Sequence, residues 1–137
     1  MLAFKKAIDI KPNHAEAYNN LGNALNDQGK FKEAIENFKK ALSFNHGYAE
    51  AYNNMGNALK EQGKLEEAVE AYEKAISIKP SYFGAYNKLG TALKEQEKLE
   101  EAIRAYEKAI SIKPDYVDSW YNVALALDNW NRLEELE

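Results

Sequence analysis

No cysteine occurs among the 137 residues, which removes disulfides, thiol catalysis and thiolate metal sites. Histidine is almost missing as well. His14 and His46 stand apart, with no ligand partners beside them, so both read as turn residues, and no metal or cofactor is expected. No apolar run is long enough to span a bilayer and no signal-peptide pattern is present; the membrane is not an expected partner, and cytoplasm is the default compartment. Positive charge is not in excess either. With 18 basic against 22 acidic residues the net charge is −4, and nucleic acid is not an expected partner, because phosphate binding needs a basic stripe.

What the chain does have is repetition. Residues 49–82 and 83–116 agree at 25 of 34 positions. The same ruler places an earlier copy at 15–48, the last fourteen positions of a preceding one at 1–14, and the first 21 of a following one at 117–137. The expectation is one repeat domain over 1–137. A unit this short cannot bury a core alone, so the units must stack, and stacking builds an elongated surface rather than a closed pocket.

Each copy carries two helical stripes. In 49–82 the first is Ala51, Tyr52, Met55, Ala58 and Leu59; the second is Leu65, Ala68, Val69, Tyr72, Ala75 and Ile76. Gaps of three and four put each set on one helix face. Gly29 and Gly63 are placed to close the first helices in the left-handed conformation, and Pro12, Pro80 and Pro114 to stop the second. Asn13 with Glu16, and Asp115 with Asp118, have the spacing of capping pairs. Small residues at Gly22, Gly56, Gly90 and at Ala34, Ala68, Ala102 allow close helix approach. Aromatics at fixed phase (Tyr18, Tyr52, Tyr86, Trp120; Phe4, Phe38, Tyr72, Tyr106) are expected to fill the space left.

The order aromatic–x–x–Leu–Gly–x–x–Leu, followed by Ala, aromatic, Ala and Pro, resembles the tetratricopeptide repeat family. In 49–82 it is carried by Tyr52, Met55, Gly56, Leu59, Gly63, Ala68, Tyr72, Ala75 and Pro80. The resemblance implies an all-α fold, a right-handed α-solenoid of antiparallel helix–turn–helix units whose first helices line a concave, peptide-holding groove. His46 departs from the pattern in place of proline, Ala124 in place of the first-helix glycine, and Glu97 in place of the turn glycine. Glu97 is therefore expected to bear left-handed strain.

On each first helix the side opposite the core stripe is expected to be free for a ligand. Its candidates are Asn19, Asn20 and Asn23; Asn53, Asn54 and Asn57; Asn87, Lys88 and Thr91; and Asn122. Asparagine is a poor helix former, so propensity does not account for this surface. A carboxamide has a donor and an acceptor and can pair with both groups of one extended peptide unit. Asn20, Asn54 and Asn122 keep one phase for such pairing; Lys88 interrupts it. The row is similar to the asparagine ladder of O-linked N-acetylglucosamine transferase. It is only partly similar to the carboxylate clamp of heat-shock co-chaperones, whose other lysines are replaced here by Asn19, Asn53 and Gly84. The expected partner is a protein or peptide.

No catalytic residue is expected, and the chain is not read as an enzyme. Glu66-Glu67 and Glu100-Glu101 open second helices, where negative charge suits the helix dipole. The outer apolar faces supply a second reading. Leu2, Phe4 and Ile8 at one end, and Trp120, Val123, Leu127 and Trp130 at the other, are complementary halves of one repeat, so a self-assembling head-to-tail homo-oligomer is expected to be accessible. The targeting arm of a larger enzyme is the third reading.

Overall fold

A computed structural model describes residues 14–136. Among the described residues there are seven helices and no strand: α1 (Ala15–Asp27), α2 (Phe31–Phe44), α3 (Ala49–Glu61), α4 (Leu65–Ile78), α5 (Phe83–Glu95), α6 (Leu99–Ile112) and α7 (Val117–Leu136). Leu2, Phe4 and Ile8 lie outside the described residues.

The helices pack as successive pairs, α1 with α2, α3 with α4 and α5 with α6, and each pair leans on the next through α2–α3, α4–α5 and α6–α7. First helices also approach one another directly, α1 to α3, α3 to α5 and α5 to α7, whereas the second helices make no such approach. The row of first helices is therefore the inner wall of the all-α solenoid, and the second helices splay apart on its outside.

Local chemistry sets the turns. After α1, α3 and α5 the chain closes with the same pair of bonds: Lys30 N–H donates to Leu25 C=O, Lys64 to Leu59 and Lys98 to Leu93, and Gly29 N–H donates to Asn26 C=O, Gly63 to Lys60 and Glu97 to Lys94, each at 2.9 Å. The residue between takes positive φ, +77° at Gly29, +78° at Gly63 and +65° at Glu97. This is the Schellman closure that glycine makes without steric cost. Glu97 holds it with a side chain attached. Glu97→Gly is expected to raise stability by about 1 kcal/mol, read as a higher denaturation midpoint; an unchanged or lower midpoint would refute strain at this turn.

The capping pairs differ from expectation. Asn13 lies outside the described residues, and His14 is the residue that caps α1, its Nδ1 accepting the Ala17 N–H at 3.0 Å. The caps of α3 and α5 are Tyr48 and Tyr82, the last residues of their repeats, so Asp115 sits one residue too early to cap α7. His46 follows an Asn45 whose side-chain oxygen accepts the Gly47 N–H at 3.2 Å, an Asx turn where other repeats carry proline.

Inside each pair an aromatic ring is wedged under a glycine. Phe38, Tyr72 and Tyr106 are fully buried. A Cβ added at Gly22, Gly56 or Gly90 would come within 2.5, 2.7 or 2.6 Å of the respective ring. Ala34, Ala68 and Ala102 are fully buried beside them. Tyr18 is buried and stacks on Phe44 at 5.8 Å between ring centroids. Trp120 departs from its core assignment. It is 54% exposed, because among the described residues no second helix covers that face of α7.

Candidate functional site

The wall positions fall into three kinds. The fifth-position residues Asn19, Asn53 and Asn87, expected to face a ligand, are only 5%, 9% and 6% exposed. This corrects the expectation that the whole side opposite the core stripe is free. Their carboxamides are turned into the joints between repeats. Asn19 Nδ2 donates to the Tyr48 hydroxyl at 3.3 Å, and the amides of Asn53 and Asn87 act on Tyr82 and Tyr116 in the direction that lowers their pKa, as Asn19 does on Tyr48.

Sixth-position residues Asn20, Asn54, Lys88 and Asn122 are half-buried on the wall. Asn54 Nδ2 donates across the joint to Asn19 Oδ1 at 3.1 Å, and Asn122 Nδ2 to Asn87 Oδ1 at 3.0 Å. The buried Ser119 hydroxyl adds a second donor to Asn87 Oδ1 at 2.9 Å. At the middle joint the corresponding residues are Lys88 and Ala85, neither donates, and Asn53 Oδ1 is buried without a partner. The interruption seen in the sequence is thus an unsatisfied acceptor in the structure.

Ninth-position residues Asn23, Asn57 and Thr91 are also half-buried. Two of them hold the wedged rings: Tyr72 O–H donates to Asn57 Oδ1 at 2.7 Å, and Thr91 Oγ1 lies 3.0 Å from the Tyr106 hydroxyl. In the first full copy the matching residues are Asn23 and Phe38, and Phe38 has no hydroxyl to offer.

Burial pushes the tyrosine hydroxyls upward in pKa. For Tyr48, Tyr82 and Tyr116 burial is the leading cause; Glu16, Glu50 and Asp118 push the same way, while the fifth-position amides oppose. Tyr72 is held well above the usual phenol range by burial, then by Glu61 and Glu95. Tyr106 is raised by burial and Glu95, with Thr91 opposing.

Sequence reasoning overlooked Tyr48, Tyr82, Tyr116 and Ser119 as the partners that orient the wall. A signal existed: asparagine at the fifth position and tyrosine at the thirty-fourth occur together in all three full copies.

On α7, Leu127 is exposed beside Trp120, and Trp130 is half-buried with its Nε1 on Glu134 at 2.9 Å. Val123, expected among the free end residues, instead packs against the cluster of Leu93, Ala102 and Tyr106. A depression of about 430 Å³ opens outside, between α2 and α4, over Ile35, Met55, Leu59 and Ala71. The inner wall is by contrast an open strip, the shape an extended chain can follow. No group able to hold a metal ion occurs among the described residues.

A tetratricopeptide repeat model matches residues 13–81, a TPR repeat model residues 90–129, and a further tetratricopeptide repeat model residues 71–104. Two crystal structures of MamA are 34% identical to this chain, with TM-scores of 0.86 and 0.85; they cover 94% and 97% of this chain and 75% and 73% of their own. The NMR structure of the first TPR domain of human RPAP3 is 25% identical, with a TM-score of 0.86, covering 90% of this chain and 98% of that one. The first TPR of Spaghetti (RPAP3) bound to the HSP90 peptide SRMEEVD has a TM-score of 0.83 at 24% identity, over 86% of this chain and 94% of that one, a likeness of fold alone. The search of curated proteins returned no match.

Proposed function

The chain belongs to the tetratricopeptide repeat family, and from that premise we propose that its inner wall is a non-catalytic module that binds an extended stretch of partner polypeptide. The family fold supports protein–protein interaction in general, and the RPAP3 domain of the same fold carries a bound HSP90 peptide. One observation carries the reading here. Asn54 and Asn122 each commit one N–H to the joint behind them, at 3.1 and 3.0 Å. That bond fixes the carboxamide plane and leaves one N–H and the oxygen for a ligand. Fifth-position asparagines thus serve as supports for the residues that touch the partner.

Neighbouring first helices lie about 10 Å apart, and an extended chain advances ~3.3 Å per residue. Asn20, Asn54 and Asn122 would then hold backbone at roughly every third ligand residue per repeat, with Asn23, Asn57, Lys88 and Thr91 setting preference between them. An Asn54→Ala/Asn122→Ala variant is expected to lose at least about tenfold in affinity on an array of extended peptides, because two two-point contacts of roughly 1 kcal/mol each are removed. Helicity should be preserved. Equal retention of every peptide by the folded variant would end the reading.

A second reading rests on α7. Trp120 and Leu127 are exposed on the face that a second helix covers in every other repeat, and Leu2, Phe4 and Ile8 belong to a segment with second-helix pattern. We propose head-to-tail association of copies through these faces. Mass measured by light scattering is expected to rise with concentration and to stop rising in Trp120→Glu; a constant monomer mass would refute it.

A further inference from the structure

Resting on the reading of the inner wall as a peptide site, we infer that the segment it selects is basic: a run of lysine or arginine in extended conformation, lying between two acidic rails.

The rails are built by the repeat itself. The stripe that faces inward contains the second, sixth, ninth and thirteenth positions of each first helix. Residues two and thirteen are eleven apart, so they fall within about 20° of one another around the helix and roughly 16 Å apart along it. The second position supplies Glu16, Glu50 and Asp118; the thirteenth supplies Asp27, Glu61 and Glu95. Lys88 is the single cation in the stripe. Of these six carboxylates only Glu50 has a cation within salt-bridge distance among the described residues, Lys79 at 3.5 Å, and that pair is exposed.

The field of these carboxylates reaches into the wall from both edges. Glu16, Glu50 and Asp118 raise the tyrosines that end the repeats, and Glu61 and Glu95 raise Tyr72. Asn53 is nine-tenths buried, and its Oδ1 has no donor. In the flanking joints the equivalent oxygens, Asn19 Oδ1 and Asn87 Oδ1, meet the sixth-position side chain of the wall. Asn53 Oδ1 therefore lacks, inside its joint, the donor that the sixth-position side chain supplies at the other two. The charges of the stripe are anions except at Lys88, and a ligand rich in positive charge complements them. Lys88 marks the one place along the strip where the ligand should carry no cation.

The test compares three fluorescent peptides of about twelve residues, long enough at ~3.3 Å per residue to cross four helices: lysine alternating with serine, glutamine with serine, and glutamate with serine. At low ionic strength the basic peptide is expected to bind at least tenfold more tightly than the neutral one, and the acidic peptide more weakly than either. Glu61→Gln and Glu95→Gln are each expected to weaken the basic peptide about two- to fivefold. Twice that loss of charge outside the wall, Glu67→Gln with Glu101→Gln, should change nothing. Lys88→Asn, which removes the lone cation and restores the missing donor to Asn53, should strengthen basic-peptide binding about twofold or more. Raising salt from about 0.01 M to about 1 M shortens the screening length from ~30 Å to ~3 Å and should erase the preference.

Equal binding of basic and neutral peptides, lost in Asn54→Ala/Asn122→Ala, overturns the charge inference and leaves the peptide wall standing. So does equal weakening by the outer and inner glutamate variants, which would show an effect of net charge alone. Failure of all three peptides to bind, or binding indifferent to Asn54 and Asn122, overturns both.

Discussion

Replacing Gly56 by valine is expected to cost about 3 kcal/mol or more, the largest effect of any single substitution on the wall. The added Cβ would meet Tyr72 Cε1 at 2.7 Å and Cδ1 at 2.8 Å, distances at which something must move. The ring has nowhere to go. It is fully buried, its hydroxyl is held by Asn57 at 2.7 Å, and Ala68 lies fully buried on the same helix. Gly56→Ala is the milder case, because the strain is offset by roughly 1 kcal/mol of improved helix propensity. Valine forfeits most of that gain and adds two methyl groups to the clash.

An internal control strengthens this expectation. Ala124 occupies the same repeat position on α7, where it is exposed and, among the described residues, no second helix follows to bring an aromatic beneath it. Ala124→Val should cost no more than its helix propensity, about 0.5 kcal/mol. Chemical denaturation of both variants decides the matter. Equal small losses would mean that the ring is not wedged against the glycine. Because units are stabilised by their neighbours, failure of the central one should also lower the cooperativity of the whole stack.

What could be read from the sequence was whatever depends on neighbours in sequence. Gly29, Gly63 and Glu97 announce their turns because a Schellman closure involves six consecutive residues, and all three have positive φ. The small–aromatic pairing of Gly56 with Tyr72 was legible because a fixed spacing of sixteen residues recurs in each full copy. The fifth-position asparagines were not legible. Asn53 sits on a helix face that is polar by residue type, and polar residues are ordinarily exposed; its burial arises from Tyr82, 29 residues later, and from the following repeat. Contacts at that range leave no trace in helical periodicity. The missing donor beside Asn53 was equally hidden, since Lys88 looks like any surface lysine until the adjacent joints show what stands in its place. Trp120 failed for a related reason: an aromatic is buried only if a partner helix arrives.

The second large effect is expected in alkali. Five tyrosines (Tyr48, Tyr72, Tyr82, Tyr106 and Tyr116) have hydroxyls whose pKa is raised in the folded chain, chiefly by burial and in each case further by nearby carboxylates. In the unfolded chain they ionise near pH 10. Above that pH the unfolded state binds fewer protons than the folded one, so folded stability falls as pH rises. It is fully present below pH ~10 and is lost progressively up to the raised folded values. A wholly buried phenol can remove at most about 1.4 kcal/mol per pH unit across that window; Tyr72, the most strongly raised, comes nearest to this limit. Several such groups acting together should unfold the stack cooperatively between about pH 10 and 12, followed by circular dichroism. Phe38 shows that the wedge position accepts a ring without a hydroxyl. Tyr72→Phe with Tyr106→Phe should therefore move the alkaline midpoint upward by about half a pH unit or more, at some cost in stability near neutrality, where the bonds to Asn57 and Thr91 are lost. An alkaline midpoint that stays in place in this double variant would show that the buried hydroxyls do not drive the transition.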